Sequence, residues 1–117
     1  MRRSELKVWT EQWGDTPVVG AEGEVDLGTV DALRATASEV VRRKPTTVIF
    51  DLRKVTHIDS SGLGILVATR KRLNNHPSSV VVVTDQPAVL QSLQVTGLDR
   101  VFEVMQEARA TELHIAS

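Results

Sequence analysis

The chain has 117 residues, a formal net charge of −1, no cysteine, and few aromatic residues: two Trp, two Phe and no Tyr. This length predicts one domain over residues 1–117, and the lack of basic excess and of aromatics argues against nucleic-acid and anionic-membrane partners. The absence of cysteine excludes disulfides, thiol redox chemistry and cysteine-ligated metals. Because no apolar run is long enough to cross a membrane and no signal-peptide pattern follows Met1, we expect a cytoplasmic protein.

Apolar periodicity divides the chain into strands and helices that alternate. In chain order we predict a strand over Glu5–Thr10, a strand over Pro17–Glu24, a helix capped by Thr29 and running to about Arg43, a strand over Thr46–Leu52, a helix from Ser60 to about Asn75, a strand over Ser79–Thr84, a helix over Pro87–Val95, a strand over Val101–Val104 and a helix over Glu107–Ile115. This ββαβαβαβα order predicts an α/β fold with a mostly parallel sheet, in which the first hairpin contributes an antiparallel edge.

Two of the predicted strands are continuous β-branched runs, which are typical of strands buried on both faces. Thr46–Leu52 and Ser79–Thr84 are separated by the length of one helix. We therefore expect them to be adjacent parallel strands, joined by a short polar connector and the helix that begins at Ser60.

The segment Asp59-Ser60-Ser61-Gly62 places two hydroxyls beside a carboxylate where that helix begins. The first backbone N–H groups of a helix have no partner within the helix, and the helix dipole favours negative charge there. Such a position can hold a phosphate, so a serine there can be phosphorylated without disrupting the fold. Aspartate and serine are also preferred N-cap residues, and capping alone would explain them equally well.

Glycine is unusual in the first turns of a helix, because each glycine costs about 1 kcal/mol relative to alanine. Gly62 and Gly64 both occupy such positions, which indicates that another backbone approaches closely, either from the protein's own sheet or from a partner. The helix is apolar nearly all round in its first half, so we expect one of Leu63, Ile65 or Val67 to lie at the surface beside Ser60. These features predict a docking patch with a chargeable residue at its centre.

Motifs of enzymes are missing from the chain: there is no Gly-rich phosphate loop with a Lys, no His-Glu-x-x-His and no Gly-x-Ser-x-Gly. His57, His76 and His114 fall in three different elements, so we predict no metal site and no bound cofactor. One alternative is a small hydrolase in which Ser60 is the nucleophile and His57 the base. A metal pair of His57 and Asp59 is a weaker alternative.

Three motifs, in the right order, resemble those of a known family. They are Gly23-Glu24-Val25-Asp26, then Asp51-Leu52 with Ile58-Asp59-Ser60-Ser61-Gly62-Leu63-Gly64, and finally Thr96-Gly97-Leu98 with Val101-Phe102. Over nearly its whole length the chain resembles the anti-sigma factor antagonists, the free-standing form of the STAS domain. The resemblance implies a four-stranded mixed core sheet with an added edge strand and four to five helices.

The resemblance also implies a mechanism of partner switching. Ser60, directly after the motif residue Asp59, would be phosphorylated by an anti-sigma factor that is a serine kinase and carries the ATP. The unphosphorylated antagonist would bind that kinase and release a sigma factor, and a serine phosphatase would reset the cycle. The implied partner-binding residues are Asp26, Asp59, Ser61, Gly62, Leu63 and Gly64. The chain would then be a monomeric binding protein and a kinase substrate, not an enzyme.

A STAS module with another duty remains the alternative within this family. It could be a scaffold or regulatory module of another signalling complex, or a domain detached from a transporter. Membrane-anchored relatives carry long apolar segments that this sequence lacks.

Overall fold

Five strands and three α-helices are present in the computed structural model, which describes residues 5–106. In chain order they are β1 (Lys7–Trp13), β2 (Thr16–Val25), α1 (Val30–Val41), β3 (Val48–Ile58), α2 (Ser60–Arg72), β4 (Val80–Val83), α3 (Pro87–Val95) and β5 (Glu103–Met105), with a short 3₁₀ helix at Leu98–Arg100 before β5. Among these residues no helix could cross a membrane, since the longest has 13 residues.

The five strands form one sheet in the order β1-β2-β3-β4-β5. β1 and β2 are antiparallel and all other neighbours are parallel. The two β-branched runs are adjacent as predicted, with Val48 opposite Val80 and Asp51 opposite Val83. Every residue of β4 is buried, and so are the first five residues of β3, which confirms the prediction that both runs are buried strands.

The prediction for β3 was wrong at its end. The strand does not stop at Leu52 but continues through the predicted polar connector to Ile58. The long strand β2 pairs with this extension as far as Val25 opposite Ile58, through a ladder that contains two register shifts. Because of these shifts, the buried residues Leu52, Val55 and Ile58 are each separated from the next by a pair of exposed residues, so the usual alternation of a strand is absent from the sequence.

The predicted number of helices and the predicted sheet also need correction. Residues 5–106 contain three α-helices instead of four to five, and the predicted helix over Glu107–Ile115 lies outside the described residues. β1 pairs with β2 along its whole length, so the sheet is a single five-stranded unit instead of a four-stranded core with an added edge.

Several predicted boundaries shift by a few residues. α1 and α2 end at Val41 and Arg72, before the predicted ends, because residues with positive φ follow each of them. These residues are Lys44 after α1 and Asn74 and Asn75 after α2. β5 begins later than predicted because the 3₁₀ helix occupies the residues before it.

The main hydrophobic core lies between one face of the sheet and all three helices. Its most deeply buried large side chains include Leu33, Phe50, Leu52, Leu66 and Leu93. A smaller cluster of Trp13, Val18, Ile49, Val81 and Val83 lies on the opposite face of the sheet. Since β2 and β3 are parallel, the β2–α1 and β3–α2 junctions lie at the same edge of the sheet, where α/β proteins commonly bind their ligands.

Candidate functional site

Asp59 occupies the N-cap position of α2 and has an extended backbone conformation. Its Oδ1 accepts hydrogen bonds from the backbone N–H of Ser61 at 2.9 Å and of Gly62 at 3.3 Å. The Ser61 hydroxyl donates to the same oxygen. Asp59 is therefore a true helix cap, as the capping interpretation of the sequence required.

The same aspartate also joins α2 to the β2–α1 junction. The backbone N–H of Leu27 donates to Asp59 Oδ2 at 3.2 Å, and the backbone N–H of Asp59 donates to the carbonyl oxygen of Val25 at 3.0 Å. Asp26 lies between Val25 and Leu27 in the chain. The structure thus brings the Asp26 segment and the Ser60 turn side by side.

The Asp59 carboxylate is held in its charged form. Partial removal from water opposes ionisation and would raise the pKa of Asp59. The hydrogen bonds from the Ser61 hydroxyl and from the backbone N–H groups of Gly62, Ser61 and Leu27 outweigh this effect, so the pKa lies below its ordinary value. A fixed negative charge therefore stands beside Ser60 at neutral pH.

The two serines of the motif have different environments. Ser60 is the first residue of α2 and is exposed, and its hydroxyl makes no hydrogen bond to any residue between 5 and 106. Ser61 is half-buried, and its hydroxyl is bound to Asp59. Only Ser60 therefore presents a free hydroxyl to an approaching partner.

The two glycines of α2 also differ. A Cβ atom on Gly62 would lie 2.6 Å from Val25 Cγ1 and 2.7 Å from Ile58 Cγ1, so this glycine allows the helix to pack on its own sheet. A Cβ atom on Gly64 would have no neighbour within 4 Å. Gly64 is exposed one helical turn after Ser60, and the fold gives no reason for a glycine there.

The expectation that Leu63, Ile65 or Val67 is exposed at the surface beside Ser60 was wrong. Leu63 and Ile65 are buried, with 6% and 8% of their surface exposed, and Val67 is half-buried against the core. α2 is covered on two sides, by α1 and by the sheet, and this protects more of its surface than its sequence suggested.

Asp26 shapes the β2–α1 turn. Its Oδ1 accepts from the backbone N–H of Gly28 at 2.9 Å. The Thr29 hydroxyl accepts from the backbone N–H of Asp26 at 3.0 Å and donates to the carbonyl oxygen of Glu24 at 2.8 Å. Thr29 is the N-cap residue of α1, as predicted, but its hydroxyl bonds to the turn instead of to the first N–H groups of the helix.

His57 is exposed on β3, where its Nδ1 lies 3.5 Å from Glu24 Oε1. Within residues 5–106 no hydrogen bond joins His57 to Ser60, so the geometry offers no serine–histidine pair. The described part of the chain also contains no group of three or more side chains placed to bind a metal ion.

Two apolar residues beside the motif were not identified from the sequence. Leu27 and Val95 are 80% and 78% exposed, the highest values for large apolar side chains in residues 5–106. Val95 lies on a groove of about 300 Å³ between the start of α2 and α3, which Ser60 and Leu63 also line. Leu27 adjoins Asp59 through the hydrogen bond from its backbone N–H to Oδ2.

The sequence contains a weak indication of both residues. Leu27 stands alone between Asp26 and Gly28, in a turn where an apolar side chain has no strand or helix to face. Val95 does not continue the buried i, i+4 pair of Val89 and Leu93 in α3.

The comparison with known families matches the STAS domain over residues 8–112. The chain belongs to the STAS family. Its STAS domain is 28% identical over 115 residues to an anti-sigma F factor antagonist of Paenibacillus polymyxa, covering 96% of this chain and 98% of that one. It is 35% identical over 91 residues to the anti-sigma-F factor antagonist RsfB of Mycobacterium tuberculosis, covering 74% of this chain and 70% of RsfB.

A solved structure supports the same assignment of this STAS domain. The crystal structure of an anti-sigma factor antagonist from Mycobacterium paratuberculosis superposes with a TM-score of 0.86 and 28% identity, covering 96% of this chain and 95% of that one. The resemblance predicted from the three motifs is thereby confirmed. All three of these relatives are named anti-sigma factor antagonists.

Proposed function

We propose that this STAS domain is an anti-sigma factor antagonist controlled by phosphorylation of Ser60. Its unphosphorylated form binds an anti-sigma factor that is itself a serine kinase and carries ATP, and this binding releases a sigma factor. Phosphorylation of Ser60 by the kinase dissociates the complex. A serine phosphatase then removes the phosphate, so that the chain can bind again. The observation that carries the choice of Ser60 is its free, exposed hydroxyl at the start of α2, beside a Ser61 hydroxyl already bound to Asp59.

The proposed contact surface comprises Ser60 and six residues of the β2–α1 and β3–α2 junctions, and these residues have different roles. The six are Asp26, Asp59, Ser61, Gly62, Leu63 and Gly64. Gly64 is exposed and leaves room for a partner backbone to approach α2. Asp59 holds the two junctions together. Gly62 and Leu63 are buried and support the surface from below. The remaining residues, Asp26 and Ser61, are half-buried at its border.

The environment of Asp59 favours a switch in which a phosphate on Ser60 weakens partner binding more than it destabilises the fold. Two N–H groups that a phosphate at the helix start could have used already bond to Asp59, so the expectation of free N–H groups needs correction. A phosphate on Ser60 would add about −1.5 to −2 charges next to a carboxylate that stays ionised. It can remain in water in the free protein, whereas a partner packed on Ser60 would have to remove that water.

The test compares Ser60→Ala, Ser60→Glu and Ser61→Ala with the wild type. The anti-sigma factor is retained from lysate by the immobilised chain, identified as a kinase and purified, and its affinity, its ATP-dependent phosphorylation of each variant and each melting temperature are measured. We expect Ser60→Ala to bind like the wild type and to resist phosphorylation, and Ser61→Ala to be phosphorylated normally. Ser60→Glu should bind more than a hundredfold more weakly, because a partner packed on residue 60 would have to remove water from a carboxylate beside Asp59. A hundredfold loss of affinity corresponds to about 3 kcal/mol of binding free energy.

Equal affinity of Ser60→Glu and wild type would count against the switch, although one carboxylate mimics a phosphate imperfectly. Phosphorylation of Ser60→Ala at Ser61 would refute the assignment of the phosphoacceptor. A large fall in melting temperature together with lost binding would show that the substitution damages the start of α2 instead of the contact surface.

A further inference from the structure

The two most exposed large apolar side chains of residues 5–106, Leu27 and Val95, belong to residues that both adjoin the Asp59–Ser60 turn. Leu27 adjoins this turn through the hydrogen bond from its backbone N–H to Asp59. Val95, at the end of α3, lines the same groove as Ser60. Single exposed apolar residues are ordinary on a protein surface, but two that adjoin the same functional turn indicate a contact site.

The groove itself combines an apolar interior with a polar border. Ile58 and Leu63 line it and are each only 6% exposed, so they form its interior, and the nearly fully exposed Val95 forms one edge. The exposed residues Asp59 and Ser60 form a polar edge at the start of α2. An apolar centre surrounded by polar residues is the common composition of a protein–protein interface.

We propose that Leu27 and Val95 are apolar anchors for the anti-sigma factor, and that the groove between α2 and α3 receives an aliphatic side chain of that protein. This inference rests on the proposed function, because it assigns further contacts of the same partner. The occupant follows from continuity: Ser60 is an edge of the groove, so a kinase that reaches the Ser60 hydroxyl also covers the groove.

The proposed occupancy gives a physical reason for the phosphorylation switch. An aliphatic side chain that enters the groove passes the Ser60 edge and excludes water from it. The unmodified hydroxyl tolerates this, whereas a phosphate dianion would lose much of its hydration against an apolar neighbour. The affinity lost on phosphorylation therefore depends on the groove being filled.

The test uses the purified anti-sigma factor kinase retained by the wild-type chain, with binding measured by calorimetry. Leu27→Ser and Val95→Ser should each weaken binding about tenfold, as expected for an aliphatic side chain that is buried on association. Because both side chains are exposed in the free protein, the melting temperatures should not change. Leu27→Met and Val95→Ile keep the apolar surface and should bind like the wild type. Ala35→Ser, an exposed substitution on the outer face of α1, serves as the matched control.

A second measurement locates the contact directly. In cross-saturation NMR with the unlabelled kinase, the methyl groups of Leu27 and Val95 should lose intensity, and the methyl group of Ala35 should not. If these two side chains show no transfer, the assignment of anchors is wrong.

The outcomes separate this inference from the proposed function. Wild-type affinity of Leu27→Ser and Val95→Ser, together with lost binding of Ser60→Glu, would overturn the anchors and leave the switch intact. Weak binding of both anchor variants together with unchanged binding of Ser60→Glu would support the anchors and reject the switch. If the Met and Ile variants bind as weakly as the Ser variants, apolar burial is not the cause and the proposal fails.

Discussion

Alanine substitutions at Gly62 and Gly64 should change stability in opposite directions, although both residues lie in the first turns of α2. Either substitution gains about 1 kcal/mol of helix propensity. At Gly64 nothing opposes this gain, since a Cβ atom there has no neighbour within 4 Å. We therefore expect Gly64→Ala to raise the free energy of unfolding by about 1 kcal/mol, which corresponds to a melting temperature about 4 °C higher.

At Gly62 the same gain is exceeded by steric overlap. The new Cβ atom would lie 2.6 Å from Val25 Cγ1 and 2.7 Å from Ile58 Cγ1, about 1 Å inside the favourable separation of two carbon atoms. Val25 and Ile58 are buried, so neither side chain can turn into solvent. Overpacking of this size costs about 3 kcal/mol, which leaves Gly62→Ala less stable than the wild type by about 2 kcal/mol.

Urea denaturation followed by circular dichroism measures both changes, and the wild type and the two variants should have the same m-value. Stabilisation by Gly62→Ala equal to that by Gly64→Ala would refute the account of helix–sheet packing. The affinity of Gly64→Ala for the anti-sigma factor gives a second result from the same protein. A Gly64→Ala variant that is stabilised and binds with full affinity would show that partner binding does not explain the glycine at this position.

Three further substitutions test individual interactions. Asp59→Asn should lower the free energy of unfolding at pH 7. In urea titrations below about pH 4, the difference in free energy of unfolding between this variant and the wild type should become smaller. The reason is that Asp59 has a lowered pKa in the folded state, so its contribution is complete above the ordinary pKa of aspartate and is lost as the pH falls through the lowered value. Thr29→Val removes the acceptor of the Asp26 N–H and should cost about 1 kcal/mol in thermal denaturation; an unchanged melting temperature would show that this hydrogen bond does not matter. Gly20→Ala should destabilise the sheet and alter Trp9 fluorescence, because its Cβ atom would lie 2.3 Å from the Trp9 ring; an unchanged emission spectrum would contradict this placement of the ring.

The middle of the fold could be predicted from the sequence because local chemistry and the tertiary structure agree there. The two β-branched runs are strands in any environment that buries both faces, and the Asp59-Ser60-Ser61 segment begins a helix through its own hydrogen bonds. The end of β3 could not be predicted in this way. Residues 53–58 have no strand-like alternation, and they are extended because β2 pairs with them.

The candidate site divides in the same way. The motif of Asp59 and Ser60 is local, so a sequence is sufficient to propose it. The groove is not local, because its walls come from β3, α2 and α3, and Val95 is far from Ser60 in the chain. No periodicity within α3 alone indicates that its last residue lines a groove together with a serine of another helix.

The sequence by itself determined where α2 begins, which serine follows the capping aspartate, and that two glycines carry a cost in helix stability. These properties depend on neighbouring residues and on backbone preferences. Only the tertiary structure decided that Gly62 serves the packing of α2 on Val25 and Ile58 while Gly64 has no neighbour. It also decided that Leu27 lies beside Asp59, because this contact joins residues 32 positions apart and exists only once β2 and β3 are paired.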